Sequence, residues 1–313
     1  MKKIIPVICF ICCLQSLFAQ QDPEYTQYMY NLSVVNPAYA TQTPAILNLG
    51  ALYRSQWAGI VGAPKTFTFF AHTPFTEKVE GGISVVSDDI GDGALKENNI
   101  YADFAYVLQL SDNSHLSLGL KGGVTLLNTD FSNFQLGSGN SQTDPAYAEN
   151  INSAFPNIGV GAFYFTDNYY LGISTPNLLS STHVEEKNGV NNYGNEALHL
   201  YLTGGYVLDI NADMKLKPSF MMKAVKGAPL SVDLSANMLF YNRFEAGVSY
   251  RFGDSFSGMF NVKVTPNFRI GYAYDYTLSN LGSFNSGSHE VFALFDLDFL
   301  NISKGYDKSP RFF

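Results

Sequence analysis

Beyond residue 19 the sequence contains no cysteine, because its three cysteines stand at positions 9, 12 and 13. An exported chain of this kind is not a disulfide-stapled scaffold, and it has neither a cysteine metal site nor a thiol nucleophile. Charged residues make up only 15% of the chain, where soluble domains usually have roughly 25%. After residue 19 no apolar run approaches the roughly 20 residues of a transmembrane helix. The net charge of −8 argues against nucleic acid as a partner.

The N-terminus has the pattern of a secretory signal peptide. Lys2 and Lys3 form a basic start, residues 4–18 are apolar, and Ala19 supplies a small residue for cleavage. The apolar stretch is too short to span a bilayer, which favours a cleaved signal over a membrane anchor. None of the cysteines follows a typical lipobox, so a lipoprotein signal is the weaker alternative. We therefore expect cleavage near Ala19 and a mature chain that begins at Gln20.

Alternation with period two dominates the rest of the chain and is clearest in its C-terminal half. Residues 230–240, 244–252, 260–264 and 268–276 place apolar side chains on one face and polar or small side chains on the other. A helix would need apolar residues at three-to-four spacing. The apolar faces are long and rich in aromatic residues, which make up 15% of the chain, as expected for strands that face lipid on one side. Because an open sheet would leave unpaired edges in lipid, these strands must close into a barrel.

The sequence therefore predicts an all-β fold, a closed antiparallel transmembrane β-barrel of about 14 strands. Single-chain bacterial barrels use an even number of strands. The predicted strands lie near residues 46–54, 64–75, 80–88, 97–110, 114–127, 156–166, 168–177, 197–209, 213–226, 230–241, 243–252, 256–264, 266–276 and 289–299.

The predicted connections differ in length according to their order along the chain. Even-numbered connections, such as 76–79 and 111–113, are short, whereas the odd-numbered ones include every long loop, such as 128–155 and 177–196. Outer-membrane barrels have short turns on the periplasmic side and long loops on the extracellular side. We therefore expect the odd-numbered loops to face outward and both chain termini to be periplasmic.

These patterns divide the chain into a signal peptide at 1–19, an N-terminal segment at 20–45 and an outer-membrane β-barrel at 46–313. The N-terminal segment is rich in tyrosine and includes Pro23 and Pro37, so it is not predicted to be a strand. The sequence leaves open whether this segment plugs the lumen or lies in the periplasm.

Charged residues fall on the polar faces of the predicted strands, which would line the lumen. Positive and negative side chains occur on neighbouring strands, whereas a selective channel more often collects one sign into a ring. We therefore expect ion pairs that brace a filled interior. The residues assigned to this bracing are Lys217, Lys223, Asp233, Arg251, Arg269 and Asp275.

Metal, cofactor and catalytic sites are not predicted. The five histidines occur without HxH or HExxH spacing, and the acidic stretch 88–92 lacks the EF-hand pattern. Serines near His199 or His289 could belong to the triad of an outer-membrane lipase, but the chain has no GxSxG elbow. We therefore expect a protein without cofactors that is not an enzyme.

Longer motifs occur along the whole mature chain. They are DPEYTQYMYNLSVVNPAYA at 22–40, YRSQWAGIVGAPKTF at 53–67, DDIG at 88–91, PNIGVGAFYFTDNYYLGISTPNLL at 156–179, KPSFMMKAVKGAPLSVDL at 217–234, GYAYDYTLSNLGSFNSGSHE within 269–290, and SPRFF at 309–313. Together they resemble the PorP/SprF family of type IX secretion membrane proteins, although Thr41 stands where that family commonly has glycine.

The resemblance implies an outer-membrane barrel that supports secretion or surface attachment of a cargo protein, such as a gliding adhesin, through the cargo's C-terminal domain. Its implied partners are outer-membrane lipid, type IX secretion components and that cell-surface adhesin. The alternative function is transport, by a porin or a substrate-specific channel.

Parts of the family-like stretches fall at odd-numbered connections of the predicted topology and would ring the extracellular mouth, namely 57–65, 88–91, 175–179, 226–229 and 276–289. We hypothesise that this ring docks the adhesin domain, with Trp57 and Tyr276 as aromatic anchors. Turn chemistry alone is the competing explanation for its glycines and prolines. The residues assigned to partner binding are Trp57, Lys65, Asp88, Asp89, Lys226, Tyr276, Asn285 and His289.

Overall fold

A computed structural model describes residues 23–41, 46–131, 135–136, 139–140, 150, 152–179, 182–187, 190–195, 198–226 and 228–298. The expected signal peptide, its cleavage near Ala19 and the tail at 309–313 lie outside the described residues. Among the described residues, no helix combines the length and the apolar character that crossing a membrane requires.

Fourteen antiparallel strands close into a barrel, which confirms the predicted fold class. The eighth strand is interrupted at Val207 and therefore has two parts. The strands are β1 Ile46–Ser55, β2 Lys65–Pro74, β3 Val79–Ile90, β4 Leu95–Ser111, β5 Ser114–Thr129, β6 Asn152–Thr166, β7 Tyr169–Thr175, β8 His199–Tyr206 with Leu208–Asn211, β9 Met214–Val225, β10 Ser231–Phe240, β11 Phe244–Arg251, β12 Ser255–Thr265, β13 Phe268–Thr277 and β14 Ser288–Asp298.

Each strand pairs with its neighbours in sequence, and β1 pairs with β14 from Ile46↔Asp298 to Ser55↔His289 to close the sheet. Two short hairpins that the sequence did not predict lie in the loops. One pairs Gln135–Leu136 with Gly139–Asn140, and the other pairs Thr182–Lys187 with Val190–Asn195.

The connections have the predicted asymmetry. Even-numbered connections such as 112–113 and 212–213 are tight turns, while the long loops, such as 130–151 and 176–198, are odd-numbered. Two odd-numbered connections, 91–94 and 252–254, are also tight turns. We call the end with the long loops the outer end of the barrel and the opposite end the inner end.

Some strands extend further toward the outer end than the sequence predicted. β3 continues to Ile90 and β4 starts at Leu95, so Asp88 and Asp89 lie on a strand rather than in a loop. The ladder continues there because Asp89 stands opposite Lys96, and a pair of opposite charges stabilises an antiparallel ladder.

The alternation places apolar side chains outside the barrel and polar side chains inside it. Leu234, Val248 and Phe260 are exposed, whereas Asp233 and Ser249 are buried. A water-facing outer wall would have the opposite character, and therefore this wall is suited to lipid.

Residues 23–41 lie within the barrel. They form a short 3-10 turn at Tyr28–Tyr30 and one α-helical turn at Leu32–Val35, and residues 25–41 are buried. Glu24 contacts Arg251, the last residue of β11, at the outer end, whereas Thr41 contacts Glu80, next to the first residue of β3, at the inner end. The segment therefore runs from the outer end to the inner end. Of the two places that the sequence left open for this segment, the described residues occupy the lumen.

Candidate functional site

The outer half of the lumen contains a buried cluster around Arg54. Its guanidinium lies 2.7 Å from an Asp275 oxygen and 3.1 Å from a Glu290 oxygen. Thr26 of the N-terminal segment joins them, since its backbone N–H donates to Glu290 at 3.0 Å and its hydroxyl donates to Asp275 at 2.8 Å. Strands β1, β13 and β14 are thus linked to one another and to the segment by buried charged groups, each of which has at least one partner of opposite charge.

A second cluster holds Glu24 at the outer end. Its carboxylate accepts from Lys223 at 3.1 Å and from Arg251 at 2.9 Å, and Arg251 also contacts Asp233 at 2.7 Å. Burial alone would raise the pKa of Glu24, but the positive charges of Arg251 and Lys223 outweigh it and lower that pKa to about 2. The Glu24 carboxylate is therefore ionised, and its ion pairs attach the start of the segment to β9 and β11.

Tyr30 occupies the inner half of the same wall. Its hydroxyl donates to Glu245, which also accepts from Arg269 at 3.2 Å. The ring of Tyr30 stacks on Phe292 with 4.7 Å between centroids, and the Lys217 ammonium lies 5.4 Å from the Tyr30 centroid. An aromatic ring between a cation and a second ring gains electrostatic and packing energy together.

The six side chains assigned to lumen bracing are all buried inside the barrel. Their partners include residues that the sequence did not single out, namely Glu24, Thr26 and Tyr30 of the segment and Arg54 and Glu290 of the strands. The segment lies between them, so the pairs connect strands through the segment as well as directly. That they brace the lumen stays a prediction.

On the opposite wall, formed by β5, β6 and β7, residues 36–38 pack directly against glycines. A side-chain Cβ at Gly161 would overlap the Asn36 amide oxygen, and one at Gly119 would overlap the backbone of residues 37–38. A Cβ at Gly172 would lie 2.8 Å from the Asn36 amide nitrogen. Only glycine therefore leaves space for this turn, a signal that sequence alone could not assign without knowing what fills the lumen.

Polar groups of this wall bind the backbone of the segment. Lys121 donates to the carbonyl of Val34 at 3.1 Å, and Ser174 donates to the carbonyl of Val35 at 2.8 Å. These bonds satisfy backbone groups that are buried away from water, as such groups require. The segment is thus fixed on both walls.

The outer loops pack against one another. Ala58 donates its N–H to the carbonyl of Gly287 at 2.7 Å and accepts from the N–H of Ser286 at 2.7 Å. Gly91 donates to the carbonyl of Gly62 at 2.8 Å. The loop at 56–64 therefore joins the loops at 278–287 and 91–94 into one continuous surface, which we call the outer-loop surface.

Several residues assigned to partner binding contribute to the outer-loop surface by holding it together. Lys65, the first residue of β2, contacts Asp92 in the loop at 91–94 at 2.9 Å. This hydrogen bond holds the pKa of Asp92 below its usual value. Asp89 accepts from the backbone N–H of Gly93 at 2.6 Å. Within its own loop, the Asn285 side chain accepts from the backbone N–H of Gly287 and donates to the carbonyl of Leu281. The Asp88 carboxylate accepts from the Thr66 hydroxyl. Lys226 is exposed.

The proposed aromatic anchors are less well placed than the sequence suggested. Tyr276 is 60% exposed but points outward from the barrel wall, and His289 packs on the same outer wall, hydrogen-bonded to Tyr272 at 2.6 Å. Trp57 is only partly exposed. The sequence missed two loop side chains, Val61 at 92% exposed and Phe284 at 75% exposed.

No group of three or more His, Cys, Asp or Glu side chains that could hold a metal ion occurs in the part of the chain that the structure describes. The contacts described at both candidate regions are ion pairs, hydrogen bonds and apolar contacts.

Solved structures similar to this chain are outer-membrane proteins. The Pseudomonas putida toluene transporter TodX is 11% identical, with 86% of this chain and 94% of that chain covered and a TM-score of 0.48. The Acinetobacter baumannii outer membrane protein Omp33 is 9% identical, with 82% and 100% covered and a TM-score of 0.46. A Pseudomonas aeruginosa FadL homologue is 12% identical, with 84% and 93% covered and a TM-score of 0.46.

None of the curated proteins compared with this chain matches it. A family model does match, over residues 17–295, and its description is "Type IX secretion system membrane protein PorP/SprF". The match includes both the lumen segment and the outer-loop surface.

Proposed function

Because the chain belongs to the PorP/SprF family of type IX secretion system membrane proteins, we propose that this outer-membrane barrel acts by holding a partner at its outer end. The partner is a secreted cargo protein, such as a surface adhesin, which the outer-loop surface binds through the C-terminal domain of the cargo. The barrel supports secretion or surface attachment of that cargo and works together with other type IX components.

The occupied lumen is the observation that carries this proposal. Residues 25–41 are buried within the barrel and are tied by hydrogen bonds and ion pairs to strands on opposite walls, as with Thr26 and Asp275 on one side and Val34 and Lys121 on the other. Residues 25–41 thus take up lumen space that a wide aqueous path for a solute or a folded cargo would need. The barrel therefore acts through contacts at its ends.

The outer-loop surface has the features of a docking site. Val61 and Phe284 are exposed apolar side chains on loops, and the exposed Lys65–Asp92 pair is a polar contact between the start of β2 and the loop at 91–94. Partner binding typically depends on a few apolar anchors within a polar rim. The loops are joined by backbone hydrogen bonds, so such a surface loses little entropy when a partner binds.

The test replaces residues 283–288 with a glycine-serine linker, and separately introduces Val61→Asp with Phe284→Asp, in the full-length protein in its own cells. We expect loss of surface adhesin on intact cells and loss of cargo from mild-detergent pull-downs analysed by mass spectrometry. Tyr241→Asp, an exposed side chain in an inner turn, is the matched control and should leave retention unchanged. Heat-shifted gel mobility verifies that each variant still forms a barrel.

Normal adhesin retention by a folded barrel with the 283–288 replacement would contradict the docking proposal. Planar-bilayer recording distinguishes the docking proposal from the transport alternative, since we expect a barrel with an occupied lumen to show little conductance. Wide single-channel conductance of the unaltered protein would favour a porin or substrate-specific channel instead.

A further inference from the structure

The direction of the lumen segment decides where the N-terminal side of the chain emerges. Glu24 contacts Arg251, where β11 ends at the outer rim, and Lys223, close to the outer end of β9. Thr26 contacts Glu290, close to the outer end of β14. The first described residues thus lie among the outer ends of three strands.

The following residues descend through the lumen. Tyr28 donates to Ser219 at 3.2 Å, in the middle of β9, and Tyr30 contacts Glu245, next to the first residue of β11 at the inner end. After the turn at 36–38 the segment reaches Glu80 through Thr41, at the inner end of β3. Because β1 then starts at the inner end, the chain has crossed the barrel once before its first strand.

We propose that the first described residues, Pro23 and Glu24, open onto the cell surface, beside the outer-loop surface, rather than into the periplasm. Three groups fix this end in place, since Lys223 and Arg251 hold the Glu24 carboxylate and Glu290 accepts from the backbone N–H groups of Thr26 and Gln27 at 3.0 and 2.8 Å. Reversing the segment would take the Glu24 carboxylate away from Lys223 and Arg251, and it would remove the two backbone N–H donors from Glu290, at a cost for buried charges. The inference rests on the outer end facing outside the cell and does not depend on adhesin docking.

Single-cysteine labelling tests this arrangement in intact cells. The unaltered chain has cysteines only at positions 9, 12 and 13 and serves as the background control. Pro23→Cys is the test variant, because Pro23 is the first described residue and is partly exposed. Ser283→Cys in an outer loop and Glu77→Cys in an inner turn, both exposed, are the two reference variants.

The probe is a maleimide carried on a large polyethylene glycol, which neither crosses the outer membrane nor passes through the barrel to its inner end, but whose reactive end can reach the outer mouth. We expect Pro23→Cys and Ser283→Cys to label on intact cells to the same extent before and after permeabilisation, and Glu77→Cys to label only after it. Labelling of Pro23→Cys only after permeabilisation would overturn the inference, and so would its failure to label in either state. If Ser283→Cys and Glu77→Cys exchanged behaviour, the orientation would be wrong, and the proposed docking function would fall as well.

Discussion

The two halves of the lumen wall hold the same segment by different physical means. The wall from β9 to β14, together with β1, presents charged side chains such as Arg54 and Arg251, and it meets residues 24–30. The wall of β5 to β7 presents glycines such as Gly161 and aromatic rings such as Phe163, and it meets residues 31–38. The first wall therefore fixes the segment by directional charge pairing, and the second fixes it by shape.

Removing a charge from the first wall should have the largest effect on stability. Arg54→Ala leaves Asp275 and Glu290 buried without their cation, which we expect to cost about 3–5 kcal/mol of unfolding free energy. Urea unfolding in lipid vesicles, followed by the fluorescence of the single tryptophan, Trp57, measures this loss. Arg243→Ala, an exposed arginine in an inner turn, is the matched control. An equal effect of the two substitutions would contradict the charge-pairing account of this wall.

Adding one methyl group to the second wall should have a smaller effect. Gly161→Ala places a Cβ against the Asn36 amide oxygen, and overpacking of this kind costs about 1–3 kcal/mol. Gly258→Ala is the matched control, because nothing lies within 4 Å of a Cβ there. Asn36→Ala removes the overlapping atom, so the double variant should lose less stability than the sum of the two single variants. Strict additivity would mean that shape does not fix the turn.

The Glu24 contact should contribute less, because its carboxylate is partly open to water at the outer end. Glu24→Gln should cost about 1.5 kcal/mol at pH 7, because it weakens hydrogen bonds with two cations. The pKa of Glu24 is lowered from 4.5 to about 2 in the folded chain, so its stabilising effect is complete above the unfolded value and is lost as the pH falls toward 2. Unfolding of both proteins between pH 7 and pH 2 should therefore show a difference that disappears in acid. A pH-independent difference would exclude ion pairing as its source.

The outer-loop pair should have the smallest effect of all. Lys65 and Asp92 have side chains that are 49% and 53% exposed, and exposed pairs are screened by water and salt. Lys65→Ala should leave urea unfolding unchanged within error. A measurable loss of unfolding free energy would mean that the outer-loop surface stabilises the barrel. The lumen contacts would then not be the main source of stability, and the outer loops would not be set apart for a partner.

Much of the barrel could be predicted because the alternation of apolar and polar residues along each strand indicates which side faces lipid and which faces the lumen. Outward residues such as Val248 and inward residues such as Ser249 alternate because one side meets lipid and the other meets the lumen. The loop asymmetry followed from the same strand boundaries. The extension of β3 to Ile90 was missed because polar residues, Asp88 and Asp89, continue the ladder without apolar alternation.

The path of the lumen segment could not be predicted in the same way. Its partners are distant in sequence, as Thr26 and Asp275 show, and no local periodicity connects them. The charges assigned to bracing were found from their alternation along strands, but Arg54 and Glu290 are isolated charges in otherwise apolar or small-residue stretches. Val61 and Phe284 were missed because exposure in a loop depends on how neighbouring loops fold over it.

The seam between β1 and β14 has a consequence for how the molecule is made. These strands come from the two ends of the barrel sequence and pair along their whole length, while residues 25–41 already lie enclosed by the cylinder. Inserting the segment into a finished cylinder would require its bulky tyrosines to pass the inward side chains that contact them, so we expect the segment to be in place before the first and last strands pair. The strands would then assemble around residues 25–41, and the finished barrel would keep this segment as part of its interior.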